Sequence, residues 1–264
     1  MKIVWVTLPI LLFILTIFEP PSSPTNKDSS VVYSESFDAA SLTPQGRAIT
    51  EHALAHLVAD EGVGGSTALR VDYVGYERGS RRVTVSPRIS SAPRYKISFW
   101  VRFCDGFDFS RGGKLHGLGP YKPVTGGDML TPEGWSARLM FRRNGGLQSY
   151  VYHQNQAGRF GDTTIADGFA FEPNRYHHLV MQVVLNTPAS ANNGSVLVWV
   201  DSKLLIEHNG LRFRSKETPA SEIQRLLFNT FHGGSSPDWA PRHADGSYKT
   251  DCAFFDNLEL TQNF

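Results

Sequence analysis

From residue 31 to its C-terminus, the chain is a succession of short β-rich runs separated by turn residues. In the clearest run, residues 96–103 (KISFWVRF), polar and apolar residues alternate with the period of two that marks a half-buried strand. No long stretch has the 3.6-residue period of a helix, and residues 216–226 are expected to hold one helical turn at most. We predict strands at Val31–Phe37, Ala68–Tyr73, Arg82–Val85, Tyr95–Phe103, Ser136–Phe141, Gln148–His153, Tyr176–Leu185, Ser195–Ile206, Ile223–Phe231 and Ala253–Leu260. The pattern predicts an all-β sandwich or jelly roll.

Length and charge narrow the class of protein. The 264 residues carry 26 Lys+Arg against 25 Asp+Glu, a net charge of +1, which argues against binding nucleic acid through a large basic surface. With only 2 Cys, the chain cannot build a four-cysteine zinc site. There is no internal repeat and no break in composition after residue 31, so we predict one domain over residues 31–264.

The N-terminus has the pattern of an export signal. Lys2 precedes an uncharged run, Ile3–Phe18, which Glu19 and two prolines end. The run is short for a membrane span, but the absence of a clean cleavage motif leaves an uncleaved anchor open. We predict a signal peptide or signal anchor over residues 1–22, a Pro/Ser-rich linker over residues 23–30, and a secreted protein with no stable membrane partner unless the signal is retained.

Export would expose the two cysteines to an oxidising compartment. Cys104 lies near the end of an early predicted strand and Cys252 near the start of the last one. A disulfide between them and two separate buried thiols are equally compatible with the sequence, because sequence does not show whether the geometry permits a bond.

One hairpin refines the fold class. The run Tyr176–Gln182 leads through Asn-Asn-Gly to Val196–Lys203, and the pair resembles a hairpin of concanavalin-A-like and laminin-G-like jelly rolls. The closing run Phe254–Leu260 resembles the last strand of the same class. This resemblance implies a jelly-roll β-sandwich and leaves function open, because enzymes and sugar-binding modules share the fold.

The residues that could carry chemistry lie between positions 110 and 155. Two predicted strands flank the turn at residues 143–146 and should form a hairpin. Strand alternation places Ser136 and Arg138 on one face of the first strand. It places Tyr150, Tyr152 and Gln154 on one face of the second. Pairing would bring these faces together, close to the preceding segment Gly112–Leu118, which contains Lys114 and His116.

Such a cluster suits β-elimination on a uronic acid polymer. The C-5 proton of the sugar becomes removable when cations and hydroxyl donors neutralise the neighbouring carboxylate. A base must then take that proton and an acid must protonate the departing O-4, and a tyrosine can do either. Ionising a free phenol at pH 7 would cost about 4 kcal/mol, which adjacent cations could offset. The cluster lacks the paired carboxylates of a glycoside hydrolase.

These motifs resemble polysaccharide lyase family 14, a family of alginate and glucuronan lyases with a β-jelly-roll fold. The resemblance covers about residues 95–260 and rests on Lys-Leu-x-Gly-Leu from Lys114, Ser-Ala-Arg from Ser136, Tyr-x-Tyr from Tyr150, Phe228–Gly234 and Trp239–Pro241. It implies that Lys114, Arg138, Tyr150 and Tyr152 carry catalysis, with Ser136 as a supporting hydroxyl.

Within that resemblance we assign roles. Arg138 and Ser136 are expected to hold the uronate carboxylate. Lys114 and Tyr152 divide the base and acid work, in an order that sequence does not reveal, and Tyr150 orients the sugar and lowers the neighbouring phenol's pKa. Gln154 and His116 complete the expected substrate-binding set. His116 and His232 depart from the family's usual residues, so either would alter the preferred uronate or the pH profile if it lined the groove.

The expected protein is therefore a monomeric polysaccharide lyase with an acidic polysaccharide as its partner, no cofactor and no metal. The substrate is alginate, mannuronate-rich in our first expectation, or glucuronan. Endo or exo action stays open. The main alternative is a non-catalytic jelly-roll module that binds acidic glycans through the same cationic face. A structural or adhesion domain without a sugar site is a third interpretation.

Overall fold

The computed structural model describes residues 1–2, 30–262 and 264, so the predicted signal and nearly all of the linker lie outside the described residues. Within the described part, no helix is long and apolar enough to cross a membrane. The elements are β1 (Ser30–Glu35), α1 (Pro44–Thr50), β2 (Ala55–Val58), β3 (Ala68–Tyr76), β4 (Gly79–Ser80), β5 (Val83–Val85), β6 (Arg88–Ala92), β7 (Arg94–Phe103), β8 (Gly112–Gly119), β9 (Ser136–Arg142), β10 (Leu147–Tyr152), β11 (Asp162–Ile165), β12 (His177–Val184), β13 (Gly194–Val200), β14 (Lys203–Leu211), β15 (Ile223–His232) and β16 (Thr250–Gln262).

The strands form two antiparallel sheets. One sheet has the order β14-β13-β12-β7-β16-β3-β2, with β1 on β16 and β4 on β3. The second has the order β11-β10-β9-β8-β15-β5, with β6 on β15. The chain is thus mostly β, and its two antiparallel sheets are consistent with the predicted β-sandwich of jelly-roll type.

The inward faces of both sheets supply the hydrophobic core. Along β7, alternate residues from Tyr95 to Phe103 are almost fully buried, while the residues between them are partly exposed, as the sequence pattern predicts. From the second sheet, Leu139 and Phe141 of β9 and Phe228 of β15 pack into the same cluster. Because one face of each sheet is committed to the core, only the outer face is available for binding.

Several strand boundaries differ from the prediction. The predicted strand Ser195–Ile206 is two strands, because Asp201 and Ser202 adopt φ of 48° and 69° and reverse the chain. Helix α1 was not predicted; Thr43 caps it by accepting a hydrogen bond from the Gly46 amide. Strand β8 was also missed, since glycines replace the alternating apolar residues on which the prediction depends.

A disulfide joins Cys104, just after β7, to Cys252 in β16, with a Cα–Cα distance of 5.4 Å. These strands are neighbours in the first sheet, and the Cys104 amide also donates to the Cys252 carbonyl. Of the two alternatives left open by the sequence, the structure contains the disulfide.

Candidate active site

A groove of about 880 Å³ crosses the outer face of the second sheet. It passes over β5, β15, β8, β9 and β10, and strands from distant parts of the chain therefore contribute to one surface. Its lining residues are Arg82, Thr84, Ser86, Lys114, Pro123, Thr125, Gly126, Arg138, Met140, Gln148, Tyr150, Phe160, Leu227, Asn229, Phe231, Gly234, Ser235 and Trp239.

The predicted hairpin forms the centre of this surface. Strands β9 and β10 pair so that Tyr150 lies opposite Arg138 and Tyr152 lies opposite Ser136. The chain reverses between them in a short 3-10 turn, Arg143–Gly145. The hairpin brings the guanidinium-bearing face beside the phenol-bearing face, which is the arrangement that strand alternation predicts.

Lys114 reaches the same point from β8. Its Nζ lies 3.6 Å from the centroid of the Tyr150 ring and 2.9 Å from the Met140 sulfur. A thioether is a weak acceptor, so this contact does little to stabilise an ammonium. Desolvation, followed by the positive charges of Arg138 and Arg82, lowers the pKa of Lys114 well below its usual value. The groove thus holds an amine that can exist in its neutral, basic form.

Arg138 is 5% exposed and has few partners within the protein. Its Nη2 lies 3.4 Å from the Ser136 hydroxyl. Among the described residues, its Nε has no hydrogen-bond partner and the guanidinium forms no ion pair. Burial lowers the pKa of Arg138 to about 10, so it remains charged at neutral pH. A buried cation without an acidic partner is expensive, which makes this position a receptor for an anion.

The two tyrosines have different environments. Their hydroxyl groups are 3.0 Å apart, and the Gly127 amide donates to the Tyr152 hydroxyl at 2.8 Å. Tyr152 is fully buried beneath the loop that carries Gly127, whereas Tyr150 lines the groove. Burial and the contact with Tyr152 raise the pKa of Tyr150, outweighing the lowering by Arg138. The raised pKa favours the protonated form of Tyr150, in which its hydroxyl can donate a proton.

Two expected substrate-binding residues instead hold the site together. The Ser136 hydroxyl donates to the Val124 carbonyl at 2.7 Å and is fully buried, so it positions Arg138 and the adjoining loop. The Gln154 amide donates to the carbonyls of Thr131, Gly134 and Phe213 at 2.9–3.2 Å. Gln154 follows the end of β10 and does not line the groove, because its side chain is hydrogen-bonded to the backbone of these neighbouring loops.

The expectation that His116 binds substrate is wrong. β8 and β9 change register between Lys114 and Gly117: three steps along β8 match two along β9. This irregularity turns His116 into the core, where its ring stacks on Phe228 with centroids 4.0 Å apart. Burial lowers its pKa to about 3, so the ring is neutral. His232, the second departure from the family pattern, is also fully buried, and its ring Nε2–H donates to the Asp108 carbonyl oxygen at 2.7 Å.

The sequence-based site also omitted several groove residues. Arg82 and Asn229 come from parts of the chain far from the hairpin in sequence, and Trp239 is the last residue of a 3-10 turn. Met140 shares the alternating face of Arg138, so alternation alone could have identified it. Gln148 donates to the Met140 sulfur at 3.3 Å and accepts from Arg142 at 2.6 Å. No group of three or more His, Cys, Asp or Glu within the described residues could hold a metal ion.

Similar structures have the same fold. A variant of alginate lyase Aly36B in complex with an alginate tetrasaccharide has a TM-score of 0.67 at 20% identity, over 88% of this chain and 96% of that one. The marine PL-14 alginate lyase from Aplysia kurodai has a TM-score of 0.60 at 22% identity, over 88% and 98%. The endo-β-1,4-glucuronan lyase from the fungus Trichoderma reesei has a TM-score of 0.59 at 14% identity, over 89% and 97%.

A comparison with curated proteins finds no match. The family model described as polysaccharide lyase 14 matches residues 75–252, which is more than half of the chain and includes the whole hairpin site. The chain therefore belongs to the polysaccharide lyase 14 family.

Proposed function

We propose that this polysaccharide lyase cleaves uronic acid polymers by β-elimination in the groove over β8, β9 and β10. The observation that carries the proposal is the buried guanidinium of Arg138, which forms no ion pair with any residue that the structure describes, beside the amine of Lys114, whose pKa is lowered. A cation that lacks an acidic partner fits a substrate carboxylate, and an amine with a lowered pKa fits a base.

The geometry supports a division of roles that differs from the sequence-based one. Arg138 binds the carboxylate next to C-5 and stabilises the charge that develops there as the proton leaves. Neutral Lys114 takes the C-5 proton. The electron pair of that C–H bond forms the C4–C5 double bond, and the C4–O-4 bond breaks. Tyr150, protonated and exposed to the groove, gives its proton to O-4.

In this scheme Tyr152 is a positioning residue. Its hydroxyl contacts the Tyr150 hydroxyl on one side and accepts a hydrogen bond from the Gly127 amide on the other. It thereby holds Tyr150 and the loop that forms one wall of the groove. Arg82, also in the groove, adds a further cation for a neighbouring uronate.

The proposed substrates are alginate and glucuronan. Similar structures include alginate lyases, one with an alginate tetrasaccharide bound, and a glucuronan lyase. Mannuronate-rich alginate is the first polymer to test. Each elimination leaves a 4,5-unsaturated uronate end, which absorbs in the near ultraviolet and gives a direct assay.

The deciding experiment incubates the purified protein with polymannuronate, polyguluronate and glucuronan and follows that absorbance. We expect Arg138→Ala to lower kcat/KM by about 10²–10³, because one preorganised electrostatic contact is removed. Arg175→Ala, which removes an exposed arginine paired with Glu172, is the matched control and should retain activity. Full activity of Arg138→Ala, or a flat trace from folded wild-type protein on every polymer, would refute the proposal.

We also propose that the chain is exported and works on extracellular polymer as a monomer. The uncharged run Ile3–Phe18 after Lys2 and the Cys104–Cys252 disulfide support export. Expression with the intact N-terminus, followed by N-terminal sequencing of the protein in the medium, tests the signal. A start beyond about residue 20 is expected, and retention of Met1 in the cell fraction would contradict cleavage.

A further inference from the structure

Two arginines face each other at the end of the sheet that carries the groove. Arg225 of β15 and Arg88 of β6 are direct cross-strand partners. Both guanidinium groups lie over the exposed ring of Tyr121, with their central carbons 4.8 Å (Arg88) and 5.4 Å (Arg225) from the ring centroid. Exposed Lys122 follows Tyr121 in the chain. We call Arg88, Tyr121, Lys122 and Arg225 the arginine–tyrosine cluster.

The cluster has an unbalanced positive charge. Like charges directly opposite each other on neighbouring strands destabilise a sheet. Among the described residues, none of the three cations forms an ion pair. Arg225 instead donates to the carbonyls of Ser86 and Tyr121 at 3.0 and 3.5 Å, which fixes its position while leaving its charge uncompensated. Such a fixed arrangement is suited to binding an anion.

The cluster is on the same face as the groove. Leu227, Asn229 and Phe231 line the groove from alternate positions of β15, and Arg225 precedes them in the same alternation. Ser86 and Pro123 line the groove and adjoin the cluster in the chain. Phe231 pairs with Lys114, so six residues of strand, about 20 Å, separate the cluster from the proposed base.

We propose that the arginine–tyrosine cluster is a second binding site for the acidic polymer, one that holds uronate carboxylates outside the cleavage groove. The planar guanidinium groups would bind carboxylates, and the Tyr121 ring would pack against an apolar face of a sugar. The identity of the ligand rests on the proposed function. Because of its distance from Lys114, the site serves long polymers and does not contact a short oligosaccharide centred on the cleavage point.

The test compares long and short substrates. In Arg88→Gln/Arg225→Gln we expect KM for polymeric alginate or glucuronan to rise about three- to tenfold, with kcat unchanged and with KM for a tetrasaccharide unchanged. The control Arg47→Gln/Arg94→Gln removes the same charge from two exposed arginines of the first sheet and its helix. The double lysine variant Arg88→Lys/Arg225→Lys should recover part of the affinity. Thermal melting of each variant establishes that it is folded.

A binding measurement separates this proposal from the lyase proposal. Electrophoresis through gels containing alginate or glucuronan, with Lys114→Ala as the background to prevent cleavage, should show retardation that the double glutamine substitution reduces. If the wild type has no lyase activity but the double glutamine substitution still reduces the retardation, the second binding site is supported and the lyase proposal fails. Unchanged retardation and unchanged KM for polymer, or an equal rise in KM for the tetrasaccharide, would overturn the second site.

Discussion

At the residue scale, Lys114 combines two properties that oppose each other. Its amine lies in surroundings that exclude water, near two arginines, with a thioether as its hydrogen-bond acceptor. These surroundings disfavour the ammonium and so favour proton abstraction. They also cost folding free energy, because the unfolded chain holds the proton of this amine without penalty.

Replacing Lys114 by Met should therefore stabilise the protein while abolishing turnover. We expect a gain in unfolding free energy of about 0.5–2 kcal/mol near neutral pH. Burial lowers the pKa of Lys114 in the folded state, so the cost in wild type is full below that lowered pKa. It fades as pH rises toward the unfolded value of about 10.5. Urea denaturation of wild type and Lys114→Met at pH 6 and pH 10 measures the gain in unfolding free energy and its dependence on pH. A gain that does not change with pH would mean that packing, not charge, is responsible.

His116 offers a second test, of stability rather than catalysis. Its pKa is lowered to about 3 by burial, against an ordinary value of 6.5, so the folded state binds fewer protons than the unfolded state between these values. Above pH 6.5 the ring is neutral in both states and adds no pH dependence to stability, whereas stability is lost as the pH falls below 6.5. We expect His116→Phe to lose less unfolding free energy than wild type between pH 6.5 and 4.

The kinetic control for His116→Phe is kcat/KM at the optimal pH, which should stay close to the wild-type value because the ring lies in the core and not in the groove. A large rise in KM would restore the interpretation of His116 as a substrate-binding residue. An unchanged pH dependence of stability would contradict the burial effect.

At the scale of elements, the close approach of β8 to β9 sets the position of Arg138. A Cβ at Gly117 would lie 2.1 Å from the Ala137 carbonyl oxygen and 2.7 Å from the Arg138 Cα. Only glycine allows this approach, and the register change that directs Lys114 outward occurs beside it. Strand pairing at this one point thus determines the relation between base and carboxylate receptor.

Gly117→Ala should push the strands apart and lower kcat by about 10²-fold, since a displacement of about 1 Å at a reacting group costs that much. Gly158→Ala is the matched control, because a Cβ there meets nothing within 4 Å. Steady-state kinetics of both variants, with circular dichroism to establish the fold, make the comparison. Equal activities would show that Arg138 tolerates a wider strand separation.

At the scale of the whole molecule, the Cys104–Cys252 disulfide closes a long loop. The cysteines are 148 residues apart, so the bond links early and late parts of the chain and restricts the unfolded ensemble. The groove hairpin lies inside this loop but belongs to the other sheet. Stability and activity should therefore respond differently to loss of the bond.

We expect Cys104→Ser/Cys252→Ser to lower the unfolding free energy by about 2–4 kcal/mol while leaving KM for polymer unchanged at a temperature where the variant is folded. Denaturant titration with and without reductant measures the effect. Wild type should respond to reductant and the variant should not. A wild-type midpoint unaffected by complete reduction would contradict a stabilising role.

Much of the architecture follows from local pattern. Alternation along Lys96–Phe103 correctly predicted which residues of β7 enter the core. The turn at residues 143–146 correctly predicted the hairpin that pairs Arg138 with Tyr150. These features depend on the alternation of polar and apolar residues along one strand and on the residues of one turn, and neighbouring strands do not change either. Strand β8 was missed because its glycines serve close strand contact and leave no alternating pattern.

The sequence by itself determined the residue types of the site and the hairpin that joins most of them. The tertiary structure decided which of those side chains reach the groove. The irregularity in β8 sends His116 into the core, and the loop carrying Gly127 covers Tyr152 while half-buried Tyr150 lines the groove. The tertiary structure also places Arg82 and Asn229, from distant parts of the chain, in the groove. The physical reason is that register shifts and desolvation depend on neighbours in space, and a pattern of period two carries no record of them.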